Sequence, residues 1–375
     1  MRAESASRGR VAILGPTLAA VSGVSTHVNM LLTSSLTRDF ELLHFRVGSE
    51  GRDESVIGKL GRFCLSPMQL ALFLAKSRVN VVHLNTSLDA KAFWRDLAYL
   101  VVAKLLRCSV VNQIHGGPNP GDFFARSAVL TWILRQFLVH SDAVTVLSSG
   151  ELAAYTDFDP RIKVQLVPNA IDSAGLLDQQ RSFNRDEPLR LVYVGRVIES
   201  KGLFDTVDAL RQLRQQGRRF TFMVAGTGRD ELRLRQAVRD AGIEDCTRLL
   251  GAVFGAAKNR LWLESDVFVF PSRHAEGLPY ALLEAMAAGC VPIVTPVAAI
   301  PDVVQSELHG FLVPAGDATL VAAAVAKLDD NRARLAQMAQ SARERISEFY
   351  TITRLAADFR AIYRKVLHEK ICQGR

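Results

Sequence analysis

Short aliphatic runs alternate with helical periodicity along this chain, and the alternation happens twice. In the first half, strands are expected at Val11–Leu14, Glu41–Val47, Val79–Leu84, Ser109–Ile114, Ala143–Leu147 and Lys163–Val167, with helical segments near 24–37, 67–77, 90–107 and 126–140. A strand–helix–strand rhythm implies parallel pairing, because the helix must carry the chain back to its starting edge. Runs without polar alternation imply strands covered on both faces. A polar stretch, 173–188, interrupts the rhythm and is expected to be a linker. The alternation then restarts, with strands at Leu189–Val194, Phe220–Ala225, Arg248–Leu250, Val267–Phe270 and Val291–Val294 and helices near 202–216, 229–241, 279–288 and 317–328. The tail, 331–370, reads as helical, with a bend at Phe349 and Tyr350. The expected organisation is two doubly wound α/β domains, 1–172 and 189–350, with a last helix of about 351–375 packing back on the first. A length of 375 residues fits two such domains.

Composition narrows the function classes. Hydrophobic residues at 49% and charged residues at 22% exclude disordered, collagenous and coiled-coil chains. The net charge of +8 is spread without basic runs interleaved with aromatics, which favours mild attraction to anions over nucleic-acid binding. Five scattered cysteines with no C-x-x-C pair argue against a disulfide framework and a structural zinc site. The N-terminus is polar with no apolar core of a signal peptide, and no apolar run reaches about 18 residues, so a cytoplasmic protein is expected. Two apolar helices flanked by Lys and Arg, at 59–78 and 91–107, have two readings. They are surfaces for the anionic inner face of a membrane, or core helices with a basic solvent face.

The densest chemistry lies in Asp266–Gly289. Val267–Phe270 reads as a buried strand, Pro279 as the first turn of a helix and Gly289 as its stop. Glu276, Gly277 and Leu278 therefore fall in a loop at a strand's carboxyl end, where open α/β sheets bind ligands, and Glu284 falls in the following helix. Carboxylates so placed accept charge-assisted hydrogen bonds from hydroxyls, and the helix start favours an anion such as a diphosphate. A nucleotide sugar presents hydroxyls on both sides of its diphosphate. In Leu191–Gly202 a strand ends at Gly195, and the cations Arg196 and Lys201 follow, a pair suited to a departing diphosphate. His115 ends another strand beside Gly116 and Gly117. His44, His83 and His140 lie in or beside apolar elements and read as structural. Gly226 and Gly228 follow a strand but lack the third glycine of a dinucleotide fingerprint.

Glu276 and Glu284, with seven residues between them, resemble the E-x7-E motif of family 4 retaining glycosyltransferases of GT-B fold, and Pro271-Ser272 and Glu284–Gly289 are similar to that family too. The resemblance covers nearly the whole chain. It implies two Rossmann-like domains facing a deep cleft, with the N-terminal domain binding the acceptor and the C-terminal domain the donor. It implies that Glu284 holds the ribose, Glu276 the sugar hydroxyls, and Arg196 and Lys201 the diphosphate. His115 would position the reacting sugar and stabilise an oxocarbenium-like state. Gly15–Gly23 resembles the family's glycine-rich loop, with Ser22 in place of the first paired glycine. Asn169 lies in a segment similar to the family's Pro-Asn-Gly hinge stretch, with Ala170 in place of glycine. Catalysis thus falls to His115, Glu276, Arg196 and Lys201. Donor binding extends to Gly23, Gly195, Gly226, Gly277, Leu278 and Glu284, and the acceptor side or cleft takes Gly15, Ser22, Gly116 and Asn169. The implied partners are a UDP-sugar, or next a GDP-sugar, and a lipid-linked or glycan acceptor of polysaccharide or glycolipid synthesis. No cofactor and no obligate metal are implied. The alternatives are a nucleotide-sugar epimerase or a phosphorylase of the same architecture, or a catalytically silent partner subunit. A phosphorylase would require a pyridoxal phosphate lysine and a longer chain.

Overall fold

The computed structural model describes residues 8–48, 55–179, 181–274 and 277–373. The chain divides into two units, one of residues 1–170 with 352–375 and one of 171–351. In the first, β1 (Gly9–Gly15), α1 (Gly23–Thr33), β2 (Phe40–Arg46), α2 (Val56–Lys76), β3 (Val81–Thr86), α3 (Ala90–Leu105), β4 (Ser109–Ile114), α4 (Pro120–Phe123), α5 (Ala128–Val139), β5 (Ala143–Val146), α6 (Ser149–Phe158) and β6 (Val164–Leu166) follow in order. The sheet runs β2-β1-β3-β4-β5-β6, all parallel. The direction of winding reverses between β1 and β3.

Period-two alternation divides this unit's core into two layers. Val11, Ile13 and Val81 point to a layer with α1, whereas Ala12, Leu14, Val82 and Leu84 point to a layer with α2, α3 and α5.

The second unit repeats the plan with β7 (Leu189–Val194), α7 (Leu203–Gln215), β8 (Phe220–Ala225), α8 (Glu231–Asp240), β9 (Thr247–Gly251), α9 (Gly255–Leu263), β10 (Val267–Phe270), α10 (Tyr280–Ala287), β11 (Val291–Val294), α11 (Ile300–Val303), β12 (Phe311–Leu312), α12 (Ala318–Asp330) and α13 (Arg332–Phe349). Its sheet runs β12-β11-β10-β7-β8-β9, so winding reverses between β7 and β10. After Tyr350 and Thr351, α14 (Ile352–Gln373) returns to the first unit. Leu355, Ala356, Phe359, Ile362, Tyr363 and Val366 of α14 complete the layer on α1. At roughly 1.5–3 kcal/mol for each large apolar side chain buried, α14 is integral to that unit.

Several expected boundaries move, for identifiable reasons. The helix expected at 67–77 begins at Val56, and Pro67 lies inside it. Pro67 has no N–H for the Phe63 carbonyl, and the Ser66 hydroxyl donates to that oxygen at 3.4 Å. The helix expected at 24–37 stops at Thr33. Ser34 Oγ donates to the Leu31 carbonyl at 2.8 Å and starts a 3-10 turn at Ser35–Arg38. Helices α6 and α9 were not expected. A capping box marks the start of α6, with Ser148 Oγ accepting from Glu151 N and the Glu151 carboxylate accepting from Ser148 N. The stretch 173–188 is not a free linker but part of the second unit. Its Arg181 side chain, 7% exposed, donates to the carbonyls of Trp262, Leu263 and Ser265 and pairs with Asp266. Among the described residues no helix is long and apolar enough to cross a membrane.

Beneath α14, His27 and His83 are fully buried and His115 is half-buried. The His27 ring meets His115 edge-on at 4.9 Å and His83 at 6.4 Å between centroids. His83 Nε2 lies 3.1 Å from Gln113 Oε1, and the Tyr363 hydroxyl lies 2.7 Å from Nδ1. Both ring nitrogens of His83 thus have a buried partner. Burial pushes His83 down to about 3, His115 to about 4 and His27 well below its ordinary value.

The unfolded chain therefore binds more protons than the folded one below about pH 6.5, and stability falls as the pH falls. Each such histidine contributes up to about 1.4 kcal/mol per pH unit within that window. The urea midpoint should drop between about pH 6.5 and 5, above the range where ordinary carboxylates take up protons. His27→Gln should flatten the slope by about one proton. A flat wild-type profile would mean these rings titrate as freely folded as unfolded.

Candidate functional site

Parallel strands wound by helices end at a common edge, and ligands of such sheets sit at the carboxyl ends where winding reverses. In the second unit that point lies between β7 and β10. The loops that leave these strands carry Gly195–Lys201 and, among the described residues, Pro271–His274 and Gly277–Pro279. The same rule in the first unit selects the loops after β1 and β3, beside the one after β4. They carry Gly15–Ser22, Ser87–Asp89 and His115–Gly117.

Backbone contacts too close for any side chain hold the second unit's loops together. Val197 N donates to Thr227 O at 3.0 Å, and Asp230 N donates to Val197 O at 3.2 Å. Gly226, at φ +141°, would place a Cβ 1.8 Å from Gly195 O, and Gly228 would place one 2.1 Å from Val197 O. Gly202, at φ +72°, would bring a Cβ 1.9 Å from Pro271 O. Only glycine permits these approaches. The Gly226 turn is thus a buttress for the Gly195–Lys201 loop. A second contact, Arg273 N to Ser200 O at 2.9 Å, ties the β7 loop to the β10 loop.

The two cations differ. Arg196 is exposed, and its carbonyl accepts from the Tyr193 hydroxyl at 2.8 Å. Lys201 is only 5% exposed, with Nζ 5.9 Å from the centre of the Phe270 ring. Nearby, Arg273 grips Asp205 at both carboxylate oxygens, at 2.9 and 2.5 Å. Glu276 lies outside the described residues. Gly277 and Leu278 follow it, with Leu278 buried and the Gly277 carbonyl accepting from Ala299 N at 3.4 Å. Helix α10 starts two residues later, with Pro279 at its N-cap. Glu284 points back to α9, where Lys258 Nζ donates to one carboxylate oxygen at 2.7 Å and Trp262 Nε1 to the other at 3.2 Å. Its side chain is 15% exposed. Sequence reasoning did not single out Lys258 or Trp262, because α9 was not expected and only the fold brings it to α10.

In the first unit, Gly15 packs so tightly on α1 that a Cβ would lie 2.6 Å from Val28 Cγ2. Ser22 is the N-cap of α1, with Oγ accepting from Ser25 N at 3.3 Å, and Gly23 opens the helix. A capping serine explains the departure from paired glycines. Ser25 Oγ is shared between the carbonyls of Thr17 and Leu18, which pins the loop to the helix. His115 leaves β4 with its N–H on Thr86 O at 2.8 Å and its Nε2 2.8 Å from Asn85 Oδ1. Gly116, at φ +124°, accepts from Leu88 N at 3.0 Å. Asn169 is buried, and Arg354 of α14 donates to the carbonyls of Pro168 and Asn169 at 2.7 and 3.2 Å. The structure thus gathers Gly195, Arg196, Lys201, Gly226, Gly277, Leu278 and Glu284 in one unit. Gly15, Ser22, Gly23, His115, Gly116 and Asn169 belong to the other. His27 went unremarked in the sequence. Its signal is a histidine on the inward face of the helix after a glycine loop. No group of three or more His, Cys, Asp or Glu able to hold a metal occurs among the described residues.

Known proteins match along nearly the whole chain. Residues 21–174 match the family described as Glycosyltransferase Family 4, and residues 177–345 the family described as Glycosyl transferases group 1. The amylovoran biosynthesis glycosyltransferase AmsK of Erwinia amylovora is 35% identical over 165 residues, which are 43% of this chain and 40% of that protein. The chain thus spans about two fifths of the length of that relative. The N-acetyl-alpha-D-glucosaminyl L-malate synthase of Bacillus anthracis is 25% identical over 336 residues, 84% of each chain. Among solved structures, the sucrose-phosphate synthase of Thermosynechococcus elongatus aligns over 96% of this chain and 100% of its own, with a TM-score of 0.75 at 19% identity. HepE of Anabaena, solved in complex with UDP, aligns over 95% of this chain and 100% of its own, with a TM-score of 0.72 at 13% identity. From its two family matches, its paired doubly wound sheets and these structural neighbours, the chain belongs to the family 4 glycosyltransferases of GT-B fold.

Proposed function

We propose that this chain is a retaining glycosyltransferase that moves a sugar from a nucleoside diphosphate sugar to a hydroxyl acceptor in polysaccharide or glycolipid synthesis. The observation that carries the reading is the second unit's reversal point, where the loops of β7 and β10 bring Arg196, Lys201, Gly277 and Leu278 to the edge from which α10 starts. A UDP-sugar is the preferred donor and a GDP-sugar the next. The neighbour solved with UDP supports that order. The second unit takes the donor and the first the acceptor.

In this reading the anomeric carbon–phosphate oxygen bond breaks as negative charge grows on the leaving diphosphate. Arg196 and Lys201 meet that charge, and the amides opening α10 add a positive dipole end. A site already desolvated at Lys201 strengthens the attraction. The acceptor oxygen bonds to the same face, and its proton passes to the departing phosphate oxygen. Glu284 takes the ribose hydroxyls, Glu276 the sugar hydroxyls, and His115 serves the reacting sugar. The Gly15–Gly23 loop, Gly116 and Asn169 shape the acceptor side.

Arg196→Ala is expected to lower kcat by about 10²–10³-fold with an unchanged urea midpoint, because the lost interaction strengthens as the bond breaks. Donor hydrolysis without acceptor, assayed over UDP- and GDP-sugars, measures it. Wild-type turnover in both Arg196→Ala and Lys201→Met would remove the pair from the mechanism. Glu284→Ala should weaken UDP binding by about 10–150-fold, the loss of a charged acceptor worth roughly 1.5–3 kcal/mol. Glu276→Ala should spare the free nucleotide and impair transfer. Calorimetry with UDP alone separates the two roles, and equal losses in both variants would contradict the division.

The acceptor is proposed to be lipid-linked, with the first unit resting on an anionic membrane surface. Helices α2, α3 and α5 cover one face of its sheet, and their outer sides expose Phe63, Leu65, Met68, Leu72, Trp94, Leu105, Val129 and Trp132. Exposed cations, Lys76, Arg78, Lys91 and Arg107, border them. Arg95 and Lys104 do not join this set. Arg95 is held by Asp96 at 2.7 Å, and Lys104 by Asp142 at 2.6 Å. The protein should sediment with anionic vesicles at low salt. Replacing Lys76, Arg78, Lys91 and Arg107 with Gln should reduce sedimentation while leaving UDP binding intact. Trp132→Ser should remove part of the salt-resistant remainder. Indifference to anionic vesicles at every salt concentration would favour a soluble acceptor.

A further inference from the structure

His115 is bonded in a way that fixes which of its nitrogens carries the proton. Asn85, near the end of β3, is only 5% exposed and has two partners in the first unit. Its Nδ2 donates to the Leu14 carbonyl of β1 at 3.0 Å. A carbonyl can only accept, so the amide cannot be turned over without setting two oxygens against each other. The other end of the amide is therefore Oδ1, an acceptor, and it lies 2.8 Å from His115 Nε2. Nε2 must then carry the hydrogen, and Nδ1 is the nitrogen with the lone pair. Nδ1 has no hydrogen-bond partner among the described residues, and the ring is half-buried. The His27 ring, edge-on at 4.9 Å, holds the imidazole plane from the side of α1.

We propose that Asn85 is a positioning residue that locks His115 in its Nε2-protonated neutral tautomer, so that Nδ1 accepts a hydrogen bond from a hydroxyl of the transferred sugar. The proposal rests on the reading that His115 serves the reacting sugar. The chain of hold runs from Leu14 O through the Asn85 amide to His115, and joins the ends of β1, β3 and β4. Those strands are adjacent in the sheet and include the pair at which its winding reverses. The low basicity of the buried ring keeps it unprotonated at neutral pH, which leaves the tautomer as the variable that Asn85 controls. A ring in the other tautomer would turn a donor toward the same hydroxyl and lose the acceptor.

Two measurements test this. The first needs no substrate. Nitrogen-15 histidine spectra of the full chain, with His115→Ala used for assignment, should show His115 protonated on Nε2, and Asn85→Ala should show a mixture of tautomers. Unchanged His115 resonances in Asn85→Ala would overturn the coupling. The second is a double-mutant cycle on donor hydrolysis, with the best substrate among UDP-glucose, UDP-galactose, UDP-N-acetylglucosamine and GDP-mannose. Asn85→Ala should lower kcat by about 10–100-fold with KM within about threefold, and should change nothing further in a His115→Ala background. Equal losses in both backgrounds would make Asn85 a general structural residue and overturn the proposal. If His115→Ala keeps wild-type kcat, the assigned role of His115 fails instead, and the spectra alone judge the coupling. Urea unfolding of each variant separates misfolding from these effects, and Asn85→Gln gives a second variant that keeps both an amide donor and an acceptor.

Discussion

A parallel strand cannot be reached from its neighbour by a tight turn, so every connection in these sheets is a helix that carries the chain back to the starting edge. That constraint gathers each strand's outgoing loop along one edge of its sheet. Where the winding reverses, the helices leaving the two central strands lie on opposite faces, and their loops diverge to leave room for a ligand. The second unit reverses between β7 and β10, and the first between β1 and β3. Residues far apart in the sequence, such as Lys201 and Leu278, come to the same edge of the sheet through strand order alone.

Position at an edge does not fix a loop's shape. In the second unit, shape comes from backbone pressed against backbone at Gly202, Gly226 and Gly228, each occupying space that a methyl group would fill. In the first unit it comes from side-chain amides and hydroxyls that bond main-chain groups, as Ser25 and Asn29 do to the Leu18 carbonyl and Asn85 does to that of Leu14. The two units also differ in charge. One presents cations and a carboxylate braced by Lys258 and Trp262, whereas the other keeps His27 and His83 buried and neutral under α14.

Much of this was legible in the sequence because the underlying physics is local. Aliphatic runs such as Val267–Phe270 announce buried strands, Gly289 at φ +78° announces a helix stop, and Phe349-Tyr350 marks the break between α13 and α14. The order of Gly195, Arg196 and Lys201 placed these residues just beyond the carboxyl end of a strand, and β7 does end at Val194. Helix α6 was missed although its Ser148 and Glu151 form a recognisable box, and α9 was missed because Gly255–Leu263 has a weak apolar stripe.

What the sequence determined by itself was most of the element order, the two-fold repetition of a doubly wound plan and the residue types at the carboxyl ends of the strands. Each depends on neighbours a few residues apart, through periodicity, capping and turn chemistry. Tertiary structure alone decided that Lys258 and Trp262 hold Glu284, that Arg181 binds a polar stretch into the second unit, and that Asn85 sets the tautomer of His115. These contacts span 22 to 85 residues of sequence, and each joins polar groups whose partners are chosen by strand order and helix packing. No local pattern encodes such a choice, because a hydrogen bond satisfied at long range leaves the same residue types in the sequence as one satisfied by water.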